Sequence, residues 1–222
     1  MPSPQDVEAR IAADPALAQL RARVAPRLSD DPGHDLQHCL RVAAWTLRLG
    51  GASVDPREAI AAALLHDVVN PPKNDPGRAT ASERSAELGR EWLTDLHFER
   101  DAIDRICDAI RDHSHSRGVV PEAPLGRALQ DADRLEALGA IGLMRCVATG
   151  ARLQGHFFHS VDLWAKARPL DDHRYSVDHF FTKLLHLSGT MCTEAGRLEA
   201  QRRTAFLEQF LAQLETELGV KR

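Results

Sequence analysis

The chain has 222 residues, of which 43% are hydrophobic and 27% charged, and its formal net charge is −4. That length supports one sizeable core, so a single domain is expected. The acidic balance excludes a general nucleic-acid binder, which carries a basic excess to neutralise phosphates, and no nucleic-acid polymer is expected as a partner. A small anionic substrate stays open.

Four cysteines, Cys39, Cys107, Cys146 and Cys192, form no C-x-x-C pair. They read as free thiols of a reducing cytoplasm. The first ten residues are polar and lack the apolar core of a signal peptide. The longest apolar run, 59–65, is far short of the roughly 20 residues that span a bilayer, so no membrane association is expected.

β-branched runs are scarce and no period-2 alternation appears, which predicts an all-α helical bundle. The first helices are predicted over 5–12 and 16–24, the second ended by Pro26. Ser29-Asp30-Asp31-Pro32-Gly33 opens a third over 34–49, stopped by Gly50-Gly51. The fourth runs to about 69. Asp55 is its N-cap, Pro56 its first residue, and Glu58 completes a capping box. It breaks before Pro71-Pro72, and a loop over 70–78 follows. Further helices are predicted over 82–96, 99–114 and 124–149. The stretch 150–175 is irregular and rich in His, Asp and Arg. The last helices are predicted over 177–187 and 191–218, with Phe206, Phe210 and Leu214 on one packed face. No linker or repeat marks a second domain.

Three places combine apolar surroundings with groups that do chemistry. On the third helix, at about 100° per residue, Leu36, Leu40, Ala43 and Leu47 share one face and His34, His38, Val42 and Trp45 the opposite one. Both faces are therefore expected to be covered, and either histidine is available as a ligand. On the fourth, an all-apolar run leads into His66-Asp67. An ionised Asp there costs several kcal/mol unless it is paired or bound to a metal. Adjacent helical side chains point about 100° apart, so both reach one ion only near a helix end. The break at Pro71 supplies that end. The third place is Asp131 and Asp133, inside the apolar frame of Leu125, Ala128, Leu129, Ala132, Leu135 and Leu138. At i and i+2 they point about 200° apart, so one of the two faces a shared centre. Two imidazoles and two carboxylates suit Mn, Fe, Co, Ni or Zn better than Ca.

In this order, His38-Cys39-Leu40-Arg41-Val42, Ala63-Leu64-Leu65-His66-Asp67-Val68-Val69 and Asp131-Ala132-Asp133-Arg134-Leu135 resemble the H…HD…D signature of the HD-domain phosphohydrolase superfamily. The resemblance implies an all-α, single-domain bundle that binds one divalent metal. It selects His38 over His34 and Asp133 over Asp131, giving His38, His66, Asp67 and Asp133 as ligands. The metal is expected among Mn, Fe, Co, Ni, Zn and Mg, with Mn favoured. His34-Asp35-x-x-His38, the run from Asp131 to Gly142, and the tail pieces Lys183-Leu184-Leu185 and Met191-Cys192-Thr193-Glu194 are similar to a short bacterial branch of that superfamily. Some of its members hydrolyse deoxynucleoside triphosphates to monophosphate and pyrophosphate. Glu136 departs from the branch, where Asp is expected.

The resemblance thus implies hydrolysis of a phosphate ester or anhydride, with a nucleotide such as a (deoxy)nucleoside triphosphate as substrate. Water activated by the metal attacks phosphorus, and Asp67 or His34 helps to take its proton. His113 continues the stripe Ile103, Ile106, Ile110. It is expected to face inward, as a phosphate hydrogen-bond partner or an acid, whereas His115 is expected at the surface. Lys73, just after the metal pair, and Arg41, one turn from His38, are candidate phosphate contacts. Asp131 is a candidate partner for orienting a ligand imidazole, and it joins Arg134 in the expected substrate-binding set. His156, His159, His173 and Arg168 raise the possibility of a substrate lid over 150–175. Two rival readings are a cyclic-nucleotide phosphodiesterase and a non-catalytic regulatory module that binds metal and nucleotide. The oligomeric state is left open, a homodimer included.

Overall fold

A computed structural model describes every residue except 1, 29–32, 72–74 and 115–116. Expectations placed on Lys73, on His115 and on the loop residues 29–32 lie outside the described residues. Among those described, regular structure is helical. One isolated parallel β-bridge joins His156 and Tyr175. No described helix is long and apolar enough to cross a membrane. The chain divides into two compact units, Met1–Asp133 and Arg134–Arg222.

The first unit begins with α1 (Pro4–Ala13) and α2 (Pro15–Val24), followed by α3 (Leu36–Gly50) and α4 (Pro56–Leu65). Next come α5 (Ala81–Asp95), α6 (Arg100–Asp112) and most of α7 (Pro124–Leu135). Their starts follow local chemistry. Ser3 and Asp6 form a capping box for α1, and Asp14 accepts from the amides of Ala16 and Leu17 to open α2. Ala59 to Leu65 are all buried, as an apolar-all-round helix requires. The central helix α4 accordingly packs against α2, α3, α5 and α6. At Gly89 of α5 an added Cβ would stand 3.3 Å from Leu65 Cδ1 and 3.6 Å from Ile110 Cδ1, so the missing side chain lets three helices meet.

Two expectations about α4 are corrected. It ends at Leu65, four residues before 69, because the Val68 amide turns back to the Leu65 carbonyl. Asp55 does cap it, accepting from Arg57 and Glu58. Glu58, however, does not close the capping box; its carboxylate takes the Arg105 guanidinium, at 3.0 Å from Nε.

The second unit holds α8 (Gly139–Arg152), α9 (Ser176–Thr182) and α10 (Glu194–Leu218), with a 3-10 turn at Leu184–Thr190. The single helix expected over 124–149 is therefore two, α7 and α8. Gly139 adopts a left-handed φ of 69°. At Gly142 an added Cβ would lie 2.2 Å from the carbonyl carbon and oxygen of Ala137. Both positions demand glycine for the sharp turn. Glu136, buried in this turn, faces Arg145 at 3.7 Å. The helix expected over 177–187 resolves into α9 and the 3-10 turn. On α10, Phe210 stacks on Phe180 at 5.7 Å between centroids, whereas Phe206 is exposed rather than packed.

The irregular stretch is where the sequence puts it, and it is tied down. Buried Asp178 receives both terminal nitrogens of Arg168, at 2.5 and 2.8 Å, and the Asp171 amide at 2.7 Å. The Arg168 guanidinium lies 4.7 Å from the Tyr175 ring centroid.

Candidate metal centre

Four helices of the first unit bring the site together. The first turn of α3 carries His38, whose amide donates to the Asp35 cap at 2.8 Å. His66 is the C-cap of α4 and Asp67 follows it. His113 is the C-cap of α6, and Asp133 lies in the last turn of α7. Three helices thus present their carboxyl ends, whose partial negative charge favours a cation.

Donor atoms of His38, His66 and Asp67 lie within 4.8 Å of one another. The Nε2 atoms of His38 and His66 are 3.2 Å apart, a separation that calls for a shared proton or a shared cation. Asp133 Oδ1 stands 3.6 Å from His38 Nε2 and 3.9 Å from His66 Nε2, and Asp67 Oδ2 stands 3.6 Å from His66 Nε2. A first-row metal holds such donors at about 2.1 Å, which sets neighbouring donors about 3.0 Å apart at a right angle and about 4.2 Å apart in line. These four separations fall inside that interval, and mixed nitrogen and oxygen donors of this kind suit a divalent first-row ion.

The protons on two imidazoles are placed by the backbone. His66 Nδ1 is 2.8 Å from the Ala63 carbonyl, and His113 Nδ1 is 2.6 Å from the Ile110 carbonyl. A carbonyl only accepts, so each Nδ1 carries a hydrogen, and a ring that holds no second proton turns the Nε2 lone pair away from that carbonyl. The acceptors are carbonyls three residues back, in the last turn of each helix, where intrahelical partners run out. The early end of α4 is what makes Ala63 available.

His113 adds a fifth group. Its Nε2 is 3.8 Å from Asp67 Oδ1, and its ring lies 5.1 Å from that of His66. Burial, and then the neighbouring His66, hold its pKa below the usual imidazole range, so it is uncharged at neutral pH. Burial, the largest influence, would raise the Asp67 carboxyl, but His66, His113 and His34 together outweigh it and hold the acid below its usual value. Burial likewise drives the Cys39 thiol upward, which leaves it inert behind His38.

Of the remaining expected residues, His34 is half-buried, with its ring 5.8 Å from that of His38 in an edge-on arrangement. Arg41 is half-buried one turn along α3 from His38, and Asp131 is fully buried on α7. Arg134 opens the second unit and donates to the Thr190 carbonyl. Sequence reasoning missed Ser85 and Gln130, both fully buried. Ser85 Oγ accepts from the Val69 amide at 3.1 Å and so pins the backbone after the His-Asp pair. A polar side chain on the apolar face of α5 was the available signal.

The sequence matches the HD domain family over residues 35–138. It is 33% identical to YpgQ of Bacillus subtilis over 207 residues, which cover 90% of this chain and 92% of that protein. The crystal structure of YpgQ in complex with ADP superposes with a TM-score of 0.71 at 27% identity, covering 92% of this chain and 99% of that one. An HD-superfamily hydrolase from Bacillus thuringiensis superposes with a TM-score of 0.68 at 30% identity, covering 92% and 97%. The helical fold, the clustered histidines and aspartates, and these likenesses place the chain in the HD-domain superfamily of hydrolases.

Proposed function

We propose that this protein is a metal-dependent phosphohydrolase acting on a nucleotide, with His38, His66, Asp67 and Asp133 as ligands. The observation that supports the reading is the cluster of His38, His66 and Asp67 donor atoms within 4.8 Å of one another, with Asp133 Oδ1 within 3.9 Å of both imidazoles. A nucleotide is favoured because the structurally similar YpgQ binds ADP. When bound, a divalent cation acidifies water and offsets charge on a phosphoryl oxygen.

The chain's own groups do the rest. Asp67 directs Oδ2 toward His66 and Oδ1 toward His113. Oδ1 receives the proton of the attacking water and shares it with His113 Nε2. An uncharged imidazole suits that task, and the imidazolium it becomes then pairs with the charge developing on phosphate. His34 is the second candidate for the proton. Arg41, Asp131 and Arg134 are assigned to substrate binding; the same assignment for Lys73 rests on the sequence alone. The test is phosphate and pyrophosphate release from a nucleotide panel with each of Mn²⁺, Fe²⁺, Co²⁺, Ni²⁺, Zn²⁺ and Mg²⁺. Release by the parent, and none by folded His66→Ala or Asp67→Ala, is the expected result. Equal release by those variants, or nucleotide binding with no turnover under any metal, overturns the reading.

A further inference from the structure

Gln130 is a fully buried amide on α7, and a buried amide is costly unless its hydrogens find acceptors. Its Nε2 lies 3.0 Å from the Asp112 carbonyl and 2.9 Å from the Val119 carbonyl. Both acceptors are carbonyls, so the NH₂ end must face them and spend both hydrogens. The Asp112 carbonyl belongs to the peptide that bears the His113 nitrogen. One side chain therefore closes the two ends of the segment that leaves α6 and starts with His113. Gln130 also stands three residues before Asp133, and i,i+3 positions are neighbours on a helix surface. The element that carries Asp133 to the imidazoles thus also carries the clamp on the His113 backbone.

We propose that Gln130 is a positioning residue for His113. It sets the peptide at 112–113 and with it the 3.8 Å approach of Nε2 to Asp67 Oδ1. The inference rests on the role given to His113 above. The alternative, that Gln130 only satisfies two buried carbonyls, leaves the His113 ring where it is.

Gln130→Met keeps length and burial and removes both donors. Its metal content and its thermal response to metal should match the parent's. Its kcat should fall by about tenfold to a hundredfold while KM moves by no more than about twofold. In a His113→Ala background the same substitution should cost nothing further. In the metal-free protein, the side-chain ¹⁵N signal of His113 should shift while that of His66 stays. Additive losses in kcat, or an unmoved His113 signal, overturn the proposal. The signal is read without turnover, so it stays decisive if the catalytic reading fails. Should Gln130→Met not fold, Gln130→Asn keeps the amide but withdraws it by one methylene, and it is read in the same way.

Discussion

Replacing His66 by alanine separates what the imidazole does for the fold from what it does for the metal. His66 is fully buried and donates from Nδ1 to Ala63. The metal-free variant therefore loses a buried hydrogen bond and gains a cavity, a destabilisation of about 2–4 kcal/mol. In the parent, an ion supplied at a hundred times its dissociation constant stabilises the folded state by about 2.7 kcal/mol. For a chain of this length that raises the unfolding midpoint by about 5–11 °C. With one of four donors gone, a dissociation constant weakened by about a hundredfold cuts the gain at the same metal concentration to about 0.4 kcal/mol, or about 1 °C. Calorimetric melts of chelator-stripped protein, with and without buffered Mn²⁺, measure both quantities. A variant that keeps the parent's full metal-induced rise, or a parent that shows no rise with any of the divalent ions, refutes the assignment.

Three further outcomes follow from particular contacts. Asp133→Ala should leave the fold intact and strip the protein of bound metal on elemental analysis, because Oδ1 of Asp133 is the oxygen that approaches both His38 and His66. Gly142→Ala should lower stability by about 3 kcal/mol or more in denaturant unfolding, since its Cβ would meet backbone atoms that cannot rotate away. Asp14 gives a pH signature. Burial raises its pKa, but the Leu17 amide, the Arg57 guanidinium and the Ala16 amide outweigh this and lower it below 3.8. Its stabilisation is therefore complete above about pH 4 and is lost as pH falls through the depressed value. Asp14→Asn, which keeps a capping oxygen but drops the charge, should flatten that part of the acid limb in melts at stepped pH.

Much of the site was legible because its members sit where apolar helices change character. The run ending in His66-Asp67 is so apolar that its polar end demanded an explanation, and the i,i+2 spacing of Asp131 and Asp133 announced that the two carboxylates serve different surroundings. The Asp55 cap was equally plain, since it precedes a proline at the first helical position; Asp14, which caps α2 ahead of Pro15 in the same way, was passed over. What stayed hidden depended on partners distant in sequence or on backbone torsion. Glu58 looked like a capping-box member until Arg105, 47 residues away, claimed its carboxylate. The break between α7 and α8 rests on a left-handed Gly139 and on a close approach at Gly142. A periodicity argument cannot see either, because the apolar pattern runs on through the turn. Gln130 was passed over because one polar residue in an apolar helix has no visible acceptor until the fold supplies two.

The carbonyls that hold the His66 and His113 rings have a consequence for genetics. In many metal centres the outward-facing imidazole nitrogen is steadied by a carboxylate, which mutation can remove. Here the steadying oxygens belong to the main chain of Ala63 and Ile110, and every amino acid brings that atom with it. A scan of side-chain substitutions will thus report positions 63 and 110 only as packing sites, and replacing the peptide link itself, for instance by an ester or a thioamide, is the perturbation that reaches them.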